Sequence, residues 1–450
     1  MVTETLARRR RMRHAISFLR VVVAIVVVVF ALIGFLYVTR GGAFKRVRSV
    51  GVTSGAVSPD EPEFALSVAM ATGVLLLPDN RVEIAENGDG TFSRLWEDLR
   101  SAQQSIAIQM YYGLPGRVAD TLSEILIDRA KHGVRVLGLY DAFGTGRISA
   151  PRLAALKAAG IEVVAFRPLR LSMLNVVQNR SHVRAIVIDG RIGWTGGFGI
   201  DDKWLGDGRS NGGWRDTNVR FEGLAVRQLE AAFAAAWTEA TGELLTGRIF
   251  LPAARDGGVR AAVVYTPPTL GSTVAERFLA VSVAGARKTL YITNAYFAPE
   301  DNFVDLLVAA ARRGVDVRLL LAGPRTDVRL ARRAARARYD RLLAAGVHVF
   351  EWQPTSLHAK TFVVDGLWSS VGTMNFDNRS LVLNEEVTLM VLDAGFGNDM
   401  NAMFLEDLRH ATEIRARSFG GDGGLNACSS EVRTSSHACS KGLPTAPSFS

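Results

Sequence analysis

The sequence predicts an α/β fold: two duplicated α/β/α sandwich halves related by a pseudo-twofold axis, preceded by one membrane-spanning helix. Three observations predict it. A single run of 19 uncharged, mostly branched apolar residues lies near the N-terminus, Val21–Thr39. Downstream, one order of strand-like and helix-like segments occurs twice. Each copy then closes on the same signature, a histidine followed by a cation at i+2 and an aspartate at i+7.

The apolar run comes first. At 1.5 Å per residue it crosses a hydrocarbon core of roughly 30 Å. It is too long for the apolar region of a cleaved leader, and no small-x-small cleavage site follows closely, so it is expected to stay as an anchor. Six arginines precede it (Arg8–Arg11, Arg13, Arg20) and four basic residues follow (Arg40, Lys45, Arg46, Arg48). That bias puts the N-terminus in the cytoplasm and the body outside it, in the cell membrane. The flanking cations also attract anionic headgroups. The formal net charge of +9 belongs to this region: residues 1–48 carry ten Lys or Arg against Glu4, leaving 43 basic and 43 acidic residues in the rest. A neutral body weighs against nucleic acid, whose binding leans on clustered cations.

Residues 1–40 are therefore read as basic N-terminus and anchor, 41–72 as linker, 73–250 and 251–418 as the two halves, and 419–450 as a Gly- and Ser-rich disordered tail. Within the halves the repeat fixes the architecture. Copy one runs Ser105–Tyr112, a helical stretch Asp120–Lys131, then a strand Val134–Leu139. Copy two runs Thr289–Tyr296, a helical stretch, then Arg313–Leu321. Gly133 and Gly314 suit left-handed caps at the helix ends. Ala158-Ala-Gly160 matches Ala344-Ala-Gly346 before each signature. Alternating strands and helices imply a helix-covered sheet in each half. Ala331–Leu343, rich in arginine, is read as a solvated helix face. Cys428 and Cys439, separated by ten residues with only His437 near, are read as tail thiols and not as a zinc site.

The signatures carry the chemistry. His358-x-Lys360-x4-Asp365 reads as a strand closing in an Asp-Gly turn, with Trp368–Val371 returning as its hairpin partner. Positions i and i+2 of a strand share a face, so His358 and Lys360 point together. His182-x-Arg184-x4-Asp189 repeats the arrangement. Fourteen residues past each histidine comes a glycine run, Gly372-Thr373-Met374-Asn375 in one copy and Gly196-Gly-Phe-Gly199 in the other. One such histidine is usually just a residue on a half-buried strand; two at equivalent points of a duplicated fold are not. One imidazole suits attack on phosphorus and the other acid–base work on the alcohols. Arg184 and Lys360 suit the charged phosphate oxygens. No metal and no cofactor is required.

With these motifs in view the chain resembles the phospholipase D superfamily, and within it the bacterial cardiolipin synthases, over roughly residues 73–415. Asn80–Ile84, Trp214-Arg-Asp-Thr217, Asn294–Pro299, Asn375–Ser380 and Asn384-Glu-Glu386 support the resemblance. It implies His182 as nucleophile and His358 as acid and base, with Asp216 and Glu386 orienting the imidazoles. Asp189 and Asp365 match the motif aspartates, with turn positions that point to structure. Arg184 stands where the family has Lys, Gly199 where it has Asn, and Thr373 where it usually has Ser. The implied activity is transfer of a phosphatidyl group between phosphatidylglycerol molecules at a membrane, giving cardiolipin through a phosphohistidine. Phospholipase D-type hydrolysis and a catalytically degenerate lipid-binding homologue are the alternatives.

Overall fold

The computed structural model describes residues 2–40, 47, 50, 55–111, 113–144, 148–168, 178–210, 212–246, 257–268 and 273–415. Cys428, Cys439, His437 and the tail from 419 lie outside the described residues, as does most of the linker before residue 55.

The anchor is α1 (Val2–Arg40), whose apolar stretch Met12–Phe35 is long enough to cross a membrane and is not buried in the rest of the fold. After it, α2 (Phe64–Thr72) forms inside the stretch read as linker, because Phe64 and Val68 find an apolar seat against the second half. The first half then runs β1 (Leu77–Glu86), α3 (Asn87–Ser101), β2 (Ser105–Met110), α4 (Arg117–Lys131), β3 (Arg135–Asp141), α5 (Ala150–Ala158), β4 (Glu162–Phe166), β5 (Ala185–Ile188), β6 (Ile192–Gly196), β7 (Thr217–Gly223) and α6 (Ala225–Thr241). The second repeats it: β8 (Val259–Thr266), α7 (Val274–Gly285), β9 (Thr289–Asn294), α8 (Asp301–Arg312), β10 (Asp316–Leu321), α9 (Arg329–Ala344), β11 (His348–Trp352), β12 (Lys360–Val364), β13 (Trp368–Gly372), β14 (Glu386–Leu392) and α10 (Ala394–Leu408). A last strand, β15 (Ala411–Ile414), adds to β11.

Among the described residues, fifteen strands form one sheet, in the order β15-β11-β10-β9-β12-β13-β14-β8-β1-β7-β6-β5-β2-β3-β4. Read outward from the antiparallel β8·β1 pairing, the two halves list equivalent strands in the same order. In each, three parallel strands linked by helices form the outer part and antiparallel strands the inner part. Side chains alternate across the sheet as the strand period requires. Ile106 and Ile108 pack towards α3 and α4, while Ala107 between them faces the opposite layer. That layer is shared: Leu229 and Phe233 of α6 and Phe396 and Met400 of α10 belong to one apolar cluster spanning both halves. The halves are therefore two folding patterns on one core. Gly133 and Gly314 end their helices at φ 86° and 90°, in the left-handed region expected of them.

The arginine-rich helix is not a bare solvated face. Along α9, Arg332 and Arg336 reach the buried Glu351 on β11 at 2.6 and 2.9 Å, and Arg338 and Arg341 pair with Asp301 and Asp305 of α8. The stripe docks the helix through paired charges, and nothing in its sequence spacing discloses those partners.

Candidate active site

Each signature sits on a hairpin that its aspartate ties down. Asp189 and Asp365 adopt φ of 53° and 54°, and each is followed by a left-handed glycine, so the two-residue turns take the strand-matching left-handed form. The Asp189 carboxylate accepts from the backbone N–H groups of Gln103, Gln104 and Ser105 at 2.8–2.9 Å. Asp365 does the same for Arg287, Lys288 and Thr289 at 2.7–2.9 Å. Both aspartates thus fasten the turn to the start of the neighbouring parallel strand, at the end of the hairpin away from the histidines. The histidines themselves precede the ladder: β5 begins at Ala185 and β12 at Lys360, so His182 and His358 lie on extended lead-in segments.

Those lead-ins cross the midline. His182 N–H donates to Glu385 O at 2.9 Å, and Glu385 N–H to Arg180 O at 2.9 Å. In the mirror arrangement His358 N–H donates to Arg215 O at 2.7 Å, and Arg215 N–H to Ser356 O at 2.9 Å. Buried ion pairs also cross it. Arg215 meets Asp407 at 2.6 Å, and Arg167 meets Glu385 at 2.6 Å. Stranding one partner of such a pair costs about 3–5 kcal/mol, so these contacts hold the halves in register.

The consequence is an exchange of carboxylates. His182 Nδ1 lies 2.9 and 3.0 Å from the Glu386 oxygens, and His358 Nδ1 lies 2.8 Å from Asp216 Oδ2. Each imidazole is oriented by the other half's acid, and each is almost wholly buried, at 7% and 3% exposure. The Arg184 Nη1 and Nη2 groups point at His182 Nε2, both at 3.2 Å. Donors there leave Nε2 as the lone-pair nitrogen and the proton on Nδ1. Lys360 Nζ donates to His358 O.

The acids are held differently. Thr373 Oγ1 donates to Glu386 Oε2 at 2.5 Å. The equivalent position in the first half, Gly197, has no hydroxyl; a Cβ there would stand 2.2 Å from Asp216 Oδ1. Trp204 takes over, its Nε1–H donating to Asp216 Oδ2 at 2.8 Å. Its ring fills the space above Gly199, where a Cβ would come within 2.8 Å of the indole. Gly199 and Trp204 are thus one substitution in two parts. Gly372 is required for a related reason, since a Cβ would strike Val387 O at 2.5 Å.

His182, Arg184, His358 and Asn375 line one cavity of about 260 Å³, joined by Tyr111, Tyr296, Lys203, Trp204, Trp214, Asp327 and Arg379. Lys360 lies buried beneath it and the glutamate and aspartate behind the imidazoles, while Asp189 and Asp365 are not part of its wall. Tyr111 and Tyr296 turn ring edges to His182 and His358 at 5.0 and 6.0 Å. The sequence reading gave these two tyrosines no role at the site, nor Lys203, Trp204 or Arg379. The available signal was positional: both tyrosines stand at or just beyond the carboxyl ends of equivalent parallel strands, β2 and β9, where sites of open α/β sheets gather.

Burial and two cations set the charge state. Burial, with Arg184 and Lys360 adding to it, holds His182 well below its usual range. Burial and Lys360 bring His358 down to about 3. Burial lowers Lys360 to about 7 and raises Glu386 to about 8. Burial also pushes Asp216 up, but the His358 contact and the Lys360 charge outweigh it and leave it below the usual carboxylate range. The cavity is thus a cationic pocket holding two neutral imidazoles, a setting that favours a phosphate anion.

The profile described as "Cardiolipin synthase, PLD-like domain" matches residues 95–237 and 281–408, one segment in each half. The chain belongs to the cardiolipin synthase family. It is 35% identical to the cardiolipin synthase of Geobacillus kaustophilus over 344 residues, covering 76% of this chain and 68% of that one. Against the cardiolipin synthase of Halalkalibacterium halodurans it is 33% identical, covering 79% and 71%. The fold of this family member is also that of phosphatidylserine synthase from Haemophilus influenzae, with a TM-score of 0.58 at 12% identity over 78% of this chain and 92% of that one.

Proposed function

We propose that this chain is a membrane phosphatidyltransferase that makes cardiolipin from two phosphatidylglycerol molecules, with His182 as nucleophile and His358 as acid and base. The observation that carries the reading is the exchange of carboxylates, which turns Nε2 of both imidazoles into one cationic cavity; the division of roles between them follows the resemblance. The arriving phosphodiester draws the Arg184 guanidinium and Lys360 onto its non-bridging oxygens, which frees the His182 lone pair. Its charge also offsets the cations that, together with burial, keep the imidazoles neutral, so His358 can hold a proton. His182 Nε2 attacks phosphorus, the bond from phosphorus to the headgroup oxygen breaks, and His358 gives its proton to the departing glycerol. His358 then takes a proton from the hydroxyl of the second phosphatidylglycerol. That oxygen attacks phosphorus, the phosphorus–nitrogen bond breaks, and His182 is restored. Asp216 and Glu386 orient the rings, Thr373, Asn375 and Gly372 shape the His182 carboxylate and its surroundings, and Asp189 and Asp365 fix the hairpins.

The α1 helix keeps this cavity at the lipid surface, with the body on the extracytoplasmic side given the six arginines before the span and four basic residues after it. The test is lipid analysis of a synthase-deficient bacterium expressing the full chain, together with mass spectrometry of trapped protein. Cardiolipin and a phosphatidyl adduct on His182 are expected. A stable, membrane-inserted protein that yields no cardiolipin would overturn the reading, and an adduct on His358 would reverse the two roles.

A further inference from the structure

Two cavity-lining cations outside the signatures occupy equivalent places in the duplication. Lys203 follows His182 by 21 residues, and Arg379 follows His358 by 21. The register that aligns Gly196–Trp204 with Gly372–Ser380 also aligns Asp201 with Asp377. Each aspartate caps the short turn bearing its cation. Asp201 Oδ1 accepts from Lys203 N–H at 3.1 Å, and Asp377 Oδ1 from Ser380 N–H at 2.8 Å. Both cations line the same cavity as the two imidazoles.

Their sides are crossed, as the carboxylates are. Lys203 Nζ lies 4.5 Å from the Trp204 ring and 4.0 Å from the Trp214 ring. Those two rings flank the His358 imidazole at 5.3 and 5.1 Å. Lys203 therefore belongs to the His358 side. Arg379 belongs to the other, where its charge acts on His182 and Tyr111. The aromatic pair holds the lysine by cation–π contact, and an Asp201 oxygen stands at 3.8 Å. With 24% of its side chain exposed, Lys203 is reachable from the cavity mouth.

The second substrate enters on the His358 side, because His358 must take the proton from its hydroxyl. That alcohol carries its own phosphate monoanion one glycerol unit away. Arg184 and Lys360 are by then committed to the phosphoryl group on His182. We infer that Lys203 is the anion subsite for the acceptor, holding the phosphate of the incoming phospholipid while its free hydroxyl lies against His358. This selects an anionic lipid alcohol over water and over neutral alcohols. The inference rests on His182 being the nucleophile.

The experiment uses the full-length protein with phosphatidylglycerol vesicles and ethanol as a neutral competing acceptor, and reads the ratio of cardiolipin to phosphatidylethanol. K203Q is expected to lower that ratio about tenfold, the effect of losing one charge-assisted contact to phosphate. That drop is larger than any fall in total transfer. K203R keeps the ratio within about twofold, and R379Q lowers both products in parallel. Phosphatidylethanol formation certifies that each variant is folded. Equal loss of both products in K203Q, or an unmoved ratio, overturns the subsite. A ratio that moves in R379Q and not in K203Q overturns it too, and moves the acceptor to the His182 side. If the unaltered protein makes phosphatidylethanol but no cardiolipin, the cardiolipin-forming reading itself falls.

Discussion

The two half-sites have the same geometry and different parts. On the second hairpin Lys360 stands beside the histidine and Thr373, in place of the usual Ser, keeps a hydroxyl bonded to the carboxylate of Glu386. On the first, a guanidinium replaces the ammonium and glycines replace the hydroxyl and the amide. Asp216 nevertheless has a donor, supplied by Trp204 from a separate turn. The comparison teaches that what is kept is a hydrogen-bond donor on each orienting acid, not the residue that provides it. It also teaches that the labels "first" and "second" describe hairpins and not functional units, since each imidazole answers to the other half's acid.

The comparison breaks most sharply at the histidines. His182→Ala should lower cardiolipin formation by about 10⁴-fold or more with no adduct, whereas His358→Ala should lose about 10²–10⁴-fold while an adduct on His182 still forms, at a reduced rate. Quenched-flow mass spectrometry separates the two, and identical behaviour of both variants would mean the imidazoles are interchangeable. Next come the acids. Glu386→Gln should suppress adduct formation on the first-half histidine, and Asp216→Asn should slow both the formation and the turnover of the adduct, each by between about 10² and 10⁴-fold. If each acid instead served the histidine of its own half, the two outcomes would swap.

Smaller effects test the donors. Trp204→Phe keeps the ring but removes Nε1–H, and Thr373→Ala removes the matching hydroxyl; each should cost about tenfold in the step served by its acid, read by single-turnover rates. A Trp204→Phe variant indistinguishable from the parent would deny the tryptophan its place as the counterpart of Thr373. The smallest effect concerns pH. Lys360 is charged below about 7 and loses its charge as pH rises through that value, while Arg184 keeps its own. The rate constant for donor capture should therefore fall on the alkaline side in the parent and stay level in Lys360→Arg. A fall that persists in the arginine variant would place the titration elsewhere.

Much of this was legible in the sequence. The repeat order predicted equivalent strands and helices, the Asp-Gly pairs predicted the hairpins, and Asp216 and Glu386 stood where orienting acids belong. Their exchange between halves was not legible, because it depends on β1 and β8 meeting at the midline of one sheet, a long-range pairing that no local spacing encodes. Trp204 was opaque for another reason. A lone tryptophan reads as core, and only the empty space over Gly197 and Gly199 explains why its nitrogen points at a carboxylate. The paired arginines of α9 and the docking of α2 were hidden likewise, since Glu351 meets the helix only once β11 joins the sheet beneath it, and the apolar seat of α2 lies far away in the chain.

The exchanged carboxylates have a consequence for how such a molecule arises. A single ancestral half could assemble this chemistry only by pairing with an identical copy, so that any change in it would appear twice in the same cavity. Two copies carried in one chain are free of that constraint. Arg184, Gly199 and Trp204 are changes on one side only, of a kind that a symmetric pair of identical subunits has no means of carrying.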